Sequence, residues 1–269
     1  MARFVVNGYD VFVEQWHEEA RETLVLLHGF TGSTKTWHKV VELLPNSIRI
    51  VAVDLMGHGQ SAAPEDVNVY SMQKQVELLD QLFTQLQLKE FSLVGYSMGG
   101  RVALSYVVQY SARVKQLILE SASPGLVLEK ERLMRRQADE ALAHTILEKG
   151  MVSFVDQWEN IPLFASQKEL PLALQYEIRS ERLAQREIGL VNSLRGMGTG
   201  VMPPLWEELF NLKMPVTLIT GDLDKKFVEL NNRMQKNLPN SEHVIIPSVG
   251  HAIHVENPIK FATIVNETI

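Results

Sequence analysis

A serine flanked by two glycines, Gly95-Tyr96-Ser97-Met98-Gly99, stands at the end of the apolar run Phe91–Gly95 (FSLVG) and directly before a helical pattern. No other feature constrains the chain as strongly. A side chain displayed at the apex of a strand-to-helix turn forces a strained backbone, and glycines two before and two after prevent clashes with strand and helix. The following helix points free N–H groups at the apex, where they stabilise developing negative charge. Such a turn needs a sheet whose strands feed into helices.

The flanking sequence supplies one. Short apolar runs occur at Thr23–Leu27, Ile48–Asp54, Val114–Glu120, Val216–Thr220 and Glu242–Ile246. Their continuous character is that of strands covered on both faces. Helical patterns lie between most of them. Ser71 caps a predicted helix through Gln85, with Val76, Leu79, Leu82, Phe83 and Leu86 on one stripe, and Gly99–Gln109, Val228–Asn237 and Pro258–Glu267 read alike. Near the start, Asn7-Gly8 separates Phe4, Val6 from Val11, Val13, which predicts a hairpin. The pattern predicts an α/β class chain with a mostly parallel eight-stranded sheet and helices on both faces. From Pro124 to Trp206 the rhythm breaks into amphipathic helical segments with no buried strand. Residues 124–206 are therefore expected as a helical cap above the carboxyl ends of the strands, inserted in a single domain spanning 1–269.

Ser97 needs a base, and the base needs an orienting acid. His251 follows the last predicted strand and precedes the last helix, which puts it at the carboxyl end of the sheet. His254 lies one turn on and suits a structural or wall position, and His28 and His58 belong to other loops. Gly221-Asp222-Leu223-Asp224 follows the penultimate strand. Asp224, three residues after the glycine, is preferred as the acid, with Asp222 as a turn residue. An oxyanion hole would pair the Met98 N–H with that of Phe30, in the loop Leu27-His28-Gly29-Phe30.

Composition narrows the alternatives. The chain has no cysteine, which removes thiolate nucleophiles, thiolate metal sites and disulfides. A net charge of -6 argues against a nucleic-acid surface. No apolar run approaches a membrane span, and MARFVVNGYD lacks the pattern of a secretory signal. A soluble, cytoplasmic protein, monomer or homodimer, without nucleic-acid or membrane partners, is expected. Arg101 stands four residues after Ser97, where a helical side chain leans back toward the site. A guanidinium so placed needs a compensating anion, from the protein or from a ligand. Between Leu126 and Trp206 lie seven of the thirteen arginines but only three of the thirteen lysines; arginine pairs bidentately with carboxylates where lysine does not.

LLHGF, DLMGHGQS, GYSMGG, GDLD and GHAIHVENP together resemble the α/β-hydrolase superfamily. Within it, GYSMGGRVAL, LILESASPGL, ERLMRRQAD, FVDQWENIPLFASQ, EIRSERLAQ and SLRGMGTGVMPPLW resemble the 2-succinyl-6-hydroxy-2,4-cyclohexadiene-1-carboxylate synthase family of menaquinone biosynthesis. The resemblance implies a lyase that removes pyruvate from 2-succinyl-5-enolpyruvyl-6-hydroxy-3-cyclohexene-1-carboxylate, with no metal or organic cofactor. It further implies that Ser97 acts as a base rather than an acylated nucleophile. Three substrate carboxylates would meet Arg101, Arg135 and Arg179, with Arg132 and Arg136 as alternates for the second and Arg182 for the third. Tyr96 and Trp158 would shape the pocket. The competing expectation is a carboxylesterase or C–C bond hydrolase working by acyl transfer on the same three residues.

Overall fold

The computed structural model describes all 269 residues. Eight strands form one sheet: β1 (Ala2–Val6), β2 (Tyr9–Trp16), β3 (Glu22–Leu27), β4 (Ile48–Val53), β5 (Phe91–Tyr96), β6 (Val114–Glu120), β7 (Val216–Gly221) and β8 (Ser241–Ile246), in the order β1-β2-β4-β3-β5-β6-β7-β8. β2 runs antiparallel to both β1 and β4, and every pairing from β4 onward is parallel. The hairpin turns at Asn7 (φ 53) and Gly8 (φ 82), the positive angles that a two-residue turn demands. Mostly parallel strands and an eight-member sheet are what the run pattern predicts.

Alternate strand residues feed two separate cores. Val25, Leu27, Val51, Val53 and Leu93 pack with α2 (Met72–Gln85) and α3 (Met98–Tyr110). Leu24, Leu26, Ile50, Ala52 and Val94 pack with α1 (His38–Val41) and α9 (Pro258–Thr268). Each fully buried aliphatic side chain stabilises the sheet by roughly 1.5–3 kcal/mol, so both faces are specified by sequence. Chain order reverses between β4-β3 and β3-β5, which brings the loops after β3 and β5 together at the carboxyl edge, the place where open α/β sheets bind ligands.

Between β6 and β7 the chain is helical: α4 (Glu129–Trp158), a 3-10 segment (Pro162–Glu169), α5 (Leu172–Leu183) and α6 (Glu187–Met197). Gly150 breaks α4 with φ 75. This insertion has its own small core of Ala143, Ile146, Phe154, Val155, Leu190, Val191 and Leu194, against which Phe30 and Trp158 pack. The remaining helices, α7 (Lys225–Gln235) and α8 (Ile253–Glu256), follow β7 and β8 after short loops that contain Asp224 and His251. No helix is long and apolar enough to cross a membrane.

Candidate active site

Ser97 sits between β5 and α3 with φ 51 and ψ -104, a conformation that costs a non-glycine residue on the order of 1–3 kcal/mol. The neighbouring glycines are there for space. A Cβ on Gly95 would lie 2.5 Å from the Gly99 carbonyl oxygen, and one on Gly99 would lie 2.2 Å from the Leu27 carbonyl oxygen. The Ser97 N–H donates to the Glu120 carbonyl at 2.8 Å, anchoring the turn to β6.

Three loop ends converge on that hydroxyl. His251 Nε2 lies 3.0 Å from Ser97 Oγ, and His251 Nδ1 lies 2.6 Å from Asp224 Oδ2. With the proton on Nδ1, the imidazole donates to Asp224 and accepts from Ser97. The imidazole and the carboxylate are almost fully buried, so water competes little for either bond. Asp224 also caps α7 through the Phe227 N–H. Asp222 accepts from the Ser248 N–H at 2.8 Å, a turn bond outside the relay. Neither the Phe30 nor the Met98 N–H is spent on a turn, loop or cap bond, which leaves both amides free for an oxygen at the serine.

The other buried histidines have structural partners. His28 accepts from the Leu55 N–H and bonds the Gly29 carbonyl. His58 is held down to about 3 by burial and then by His28. His254 donates to Glu120, with both side chains wholly buried.

Ser97 and His251 open into a cavity of about 1350 Å³ lined also by Phe30, Tyr96, Arg101, Arg135, Trp158, Lys226 and Arg233. Arg101 is 9% exposed and ion-pairs with no carboxylate; its Nη1 donates to the Met197 carbonyl at 2.5 Å and lies 3.6 Å from Met202 Sδ. Burial, and next the charge of Arg135, pull its pKa down to about 10, while Asp139 opposes them. It remains a cation at neutral pH. Arg135 Nε bonds Asp139 Oδ1 at 2.8 Å, and the second oxygen of Asp139 is buried without a partner. Burial pushes the Asp139 carboxyl up, against the pull of Arg135 and Arg101. Two guanidinium groups thus share one carboxylate, and the cluster keeps a net positive charge. Trp158 is enclosed by Phe30, Phe154 and Phe164, and its indole N–H is buried and unpaired. Tyr96 packs against the rings of His251 and His254.

Arg179 departs from the expectation. It does not line the cavity; its guanidinium is held by Asp156 at 2.6 Å and Glu159 at 2.7 Å. The physical reason is local: the second half of α5 lies against the end of α4, where those two carboxylates stand. Arg132 bonds the Gly200 and Val201 carbonyls, and Arg136 bonds Gly200 and Glu129, so neither alternate reaches the cavity. Arg182 is buried, bonds Gln167 and lies 4.7 Å over the Phe164 ring. It lines a separate cavity of about 680 Å³ that shares Phe30, Tyr96 and Phe164 with the first.

Sequence reasoning passed over Asp139, Lys226 and Arg233. Two signals could have found them. Asp139 follows Arg135 at the i,i+4 spacing of a helical pair. The helix carrying Lys226 and Arg233 starts immediately after Asp224, so it must border the site.

Known proteins place this geometry in a family. The α/β hydrolase fold family matches residues 22–258. A Bacillus subtilis (strain 168) protein, whose name assigns it provisionally as a 2-succinyl-6-hydroxy-2,4-cyclohexadiene-1-carboxylate synthase, is 47% identical over 98% of this chain and 96% of its own. The synthase of that name from Photorhabdus laumondii is 31% identical over 91% of this chain and 84% of its own. The solved structure of MenH from S. aureus superposes with a TM-score of 0.91 at 37% identity, covering 96% of this chain and 97% of that one. The chain belongs to the α/β hydrolase fold family and, within it, to the 2-succinyl-6-hydroxy-2,4-cyclohexadiene-1-carboxylate synthase family.

Proposed function

We propose that this chain is the lyase of menaquinone biosynthesis that eliminates pyruvate from 2-succinyl-5-enolpyruvyl-6-hydroxy-3-cyclohexene-1-carboxylate to give 2-succinyl-6-hydroxy-2,4-cyclohexadiene-1-carboxylate. Family membership supports the reaction. The observation that carries it into this chain is the pairing of a complete serine relay with Arg101, a buried cation that bonds no carboxylate and whose nearest counter-charge, Asp139, is already bonded to Arg135. Retaining such a charge costs several kcal/mol unless an anion meets it, and the substrate brings three carboxylates.

In this reading Ser97 Oγ removes the ring proton α to the succinyl ketone while passing its own proton to His251 Nε2. Asp224 keeps the imidazole in the accepting tautomer and stabilises the cation that forms. The ketone oxygen takes on enolate character, and the free N–H groups of Phe30 and Met98 would hold it, each donor contributing roughly 3–4 kcal/mol. Electrons then move through the ring double bond and break the carbon–oxygen bond to the enolpyruvyl group. The departing enolate takes a proton from His251 and leaves as pyruvate, which restores the resting relay through Ser97. Atoms and charge balance without a further reagent.

Arg101 and Arg135 are the proposed carboxylate ligands, and Trp158 and Tyr96 the walls. An acceptor on the substrate facing the unpaired Trp158 N–H would recover roughly 1–3 kcal/mol. Residues 124–206 act as the cap that closes the cavity from above. Arg179 stays outside this set.

The test is pyruvate release from the enolpyruvyl substrate, followed by a coupled readout. Wild-type protein turns over, and Ser97→Ala loses about three orders of magnitude or more. Full activity of Ser97→Ala, or an acyl group trapped on Ser97 during turnover of simple aryl esters, would refute the assignment.

A further inference from the structure

His251 is carried by a short loop, and the two peptide N–H groups beside it converge on one side chain. The Gly250 N–H donates to Glu256 Oε2 at 2.7 Å, and the Ala252 N–H lies 3.4 Å from Glu256 Oε1. One carboxylate, five residues downstream, spans the residues on both sides of the imidazole. Its environment fits that task. Glu256 is half-buried, and burial raises its pKa while the Gly250 N–H pulls it back down. Ser166 Oγ, buried and otherwise unpartnered, abuts the same carboxylate from the 3-10 segment of the cap. The fit leaves no slack: a Cβ at Gly250 would lie 2.0 Å from Ser166 Oγ and 3.1 Å from Glu256 Oε1.

The far side of the same short helix is fixed independently. His254, two residues before Glu256, donates through its N–H and its Nδ1 to Glu120. Glu120 ends β6 and takes the Ser97 N–H on its carbonyl. The helix is thereby tied to the strand that anchors the serine turn, and Glu256 reaches from it to the loop that carries the base. The Ser97–His251 bond spans two loops 154 residues apart in sequence, and its length depends on both ties.

We propose that Glu256 is a positioning residue for His251: its carboxylate clamps the Gly250 and Ala252 amides and so sets the imidazole against Ser97 Oγ and Asp224. It touches neither the substrate nor the reacting atoms. The proposal rests on the reading of His251 as the working base, and the test separates the two.

Glu256→Gln keeps the size of the side chain but replaces one acceptor oxygen with a donor, so one of the two amides is opposed rather than held. Misplacement of a reacting group by about 1 Å costs on the order of 100-fold. The expected result is a fall in kcat of about 10- to 100-fold with KM changed by less than about threefold. A substrate-free readout accompanies it: the far-downfield proton resonance of the His251–Asp224 hydrogen bond broadens or disappears. If Glu256→Gln does not fold, Glu256→Asp, which keeps the charge but shortens the reach, is put through both measurements with the same expectation. Wild-type kcat together with an unchanged downfield proton in the folded variant overturns the proposal, as does a loss of activity that only tracks the unfolded fraction. A wild-type enzyme that fails to release pyruvate sinks the assigned reaction instead, and the proton resonance still reports whether Glu256 holds the imidazole.

Discussion

Arg101 and Arg179 carry the same guanidinium, and the molecule holds them in opposite ways. Arg101 is buried at the cavity, with a backbone carbonyl and a thioether as its contacts and a second arginine nearby. Arg179 is about 29% exposed and gripped by two carboxylates, which raise its pKa. A charge in the second setting has nothing to gain from a ligand. A charge in the first shares one carboxylate, Asp139, with a second arginine, and in the proposed reading a substrate carboxylate meets the remaining positive charge. The difference teaches that arginine content marks an anion site only where the protein withholds the counter-charge.

The sharpest break of this contrast is Arg101→Ala. It should lower kcat/KM for the enolpyruvyl substrate by roughly 10²- to 10³-fold, the size expected when a buried charge pair loses one member. Steady-state kinetics on folded variant protein checks this; a change below about fivefold would remove Arg101 from the substrate site.

Stability should move the other way. The pKa of Arg101 falls from the ordinary guanidinium range to about 10, chiefly by burial, so the folded chain carries a cost of about 3 kcal/mol for keeping this charge. Arg101→Met, which is close in length and uncharged, should raise unfolding free energy in urea by about 1–3 kcal/mol. The sign with pH follows from proton counting. A base depressed in the folded state costs stability in full below its folded pKa, and the cost is relieved only as pH rises above about 10 toward the ordinary guanidinium range. The gain from Arg101→Met should therefore be constant from about pH 6 to 9. A destabilised Arg101→Met would mean that the Met197 carbonyl bond is structural.

Asp139 tests the same contrast from the side of the counter-charge. It is the one carboxylate shared by Arg135 and Arg101. Asp139→Asn should cost the ligand-free protein about 1–2 kcal/mol, because the two cations then face each other with less compensation. The diene carboxylate product should raise the Tm of this variant by more than it raises that of wild type, since the anion now supplies what Asp139 did. A smaller ligand-induced shift would show that Asp139 serves to orient Arg135 instead.

Legibility from sequence followed the same division. Strands β3 to β7 could be read because each is a run of apolar residues between turn residues and is largely buried on both faces, whereas β8, at the sheet edge, buries only Ile246 and is readable from its short apolar end alone. The serine turn, His251 and Asp224 could be read because each is the first residue or loop after a strand, so topology alone fixes its place. The insertion offered no such anchor. Its helices show where residues stand along an axis, but their rotation is set by tertiary packing, and Arg135 and Arg179 look alike until that packing is known. Of the seven insertion arginines, Arg132, Arg136 and Arg186 tie carbonyls, while Arg179 and Arg195 meet carboxylates. Much of the enrichment therefore builds the insertion. Glu256 was hidden for another reason: a backbone clamp across a tight loop leaves no periodic trace.

The smallest expected effect is the most discriminating for the contrast. Arg179→Ala removes a guanidinium that bridges Asp156 at the end of α4 and Glu159 just beyond it, both partners being partly exposed. Pairs of this kind contribute roughly 0.2–1 kcal/mol each and are screened by salt. The variant should lose about 1 kcal/mol of stability at low ionic strength and less at high salt, with kcat/KM within about threefold of wild type. Were Arg179 instead to swing onto a substrate carboxylate during turnover, it would first have to leave both partners. Asp156→Asn with Glu159→Gln would then release it and lower KM. If Arg179→Ala loses activity as steeply as Arg101→Ala, and the released double variant binds substrate more tightly, the resting ion pairs are a latch and the division between the two arginines fails. If both measurements stay near wild type, the division stands on kinetics as well as on geometry.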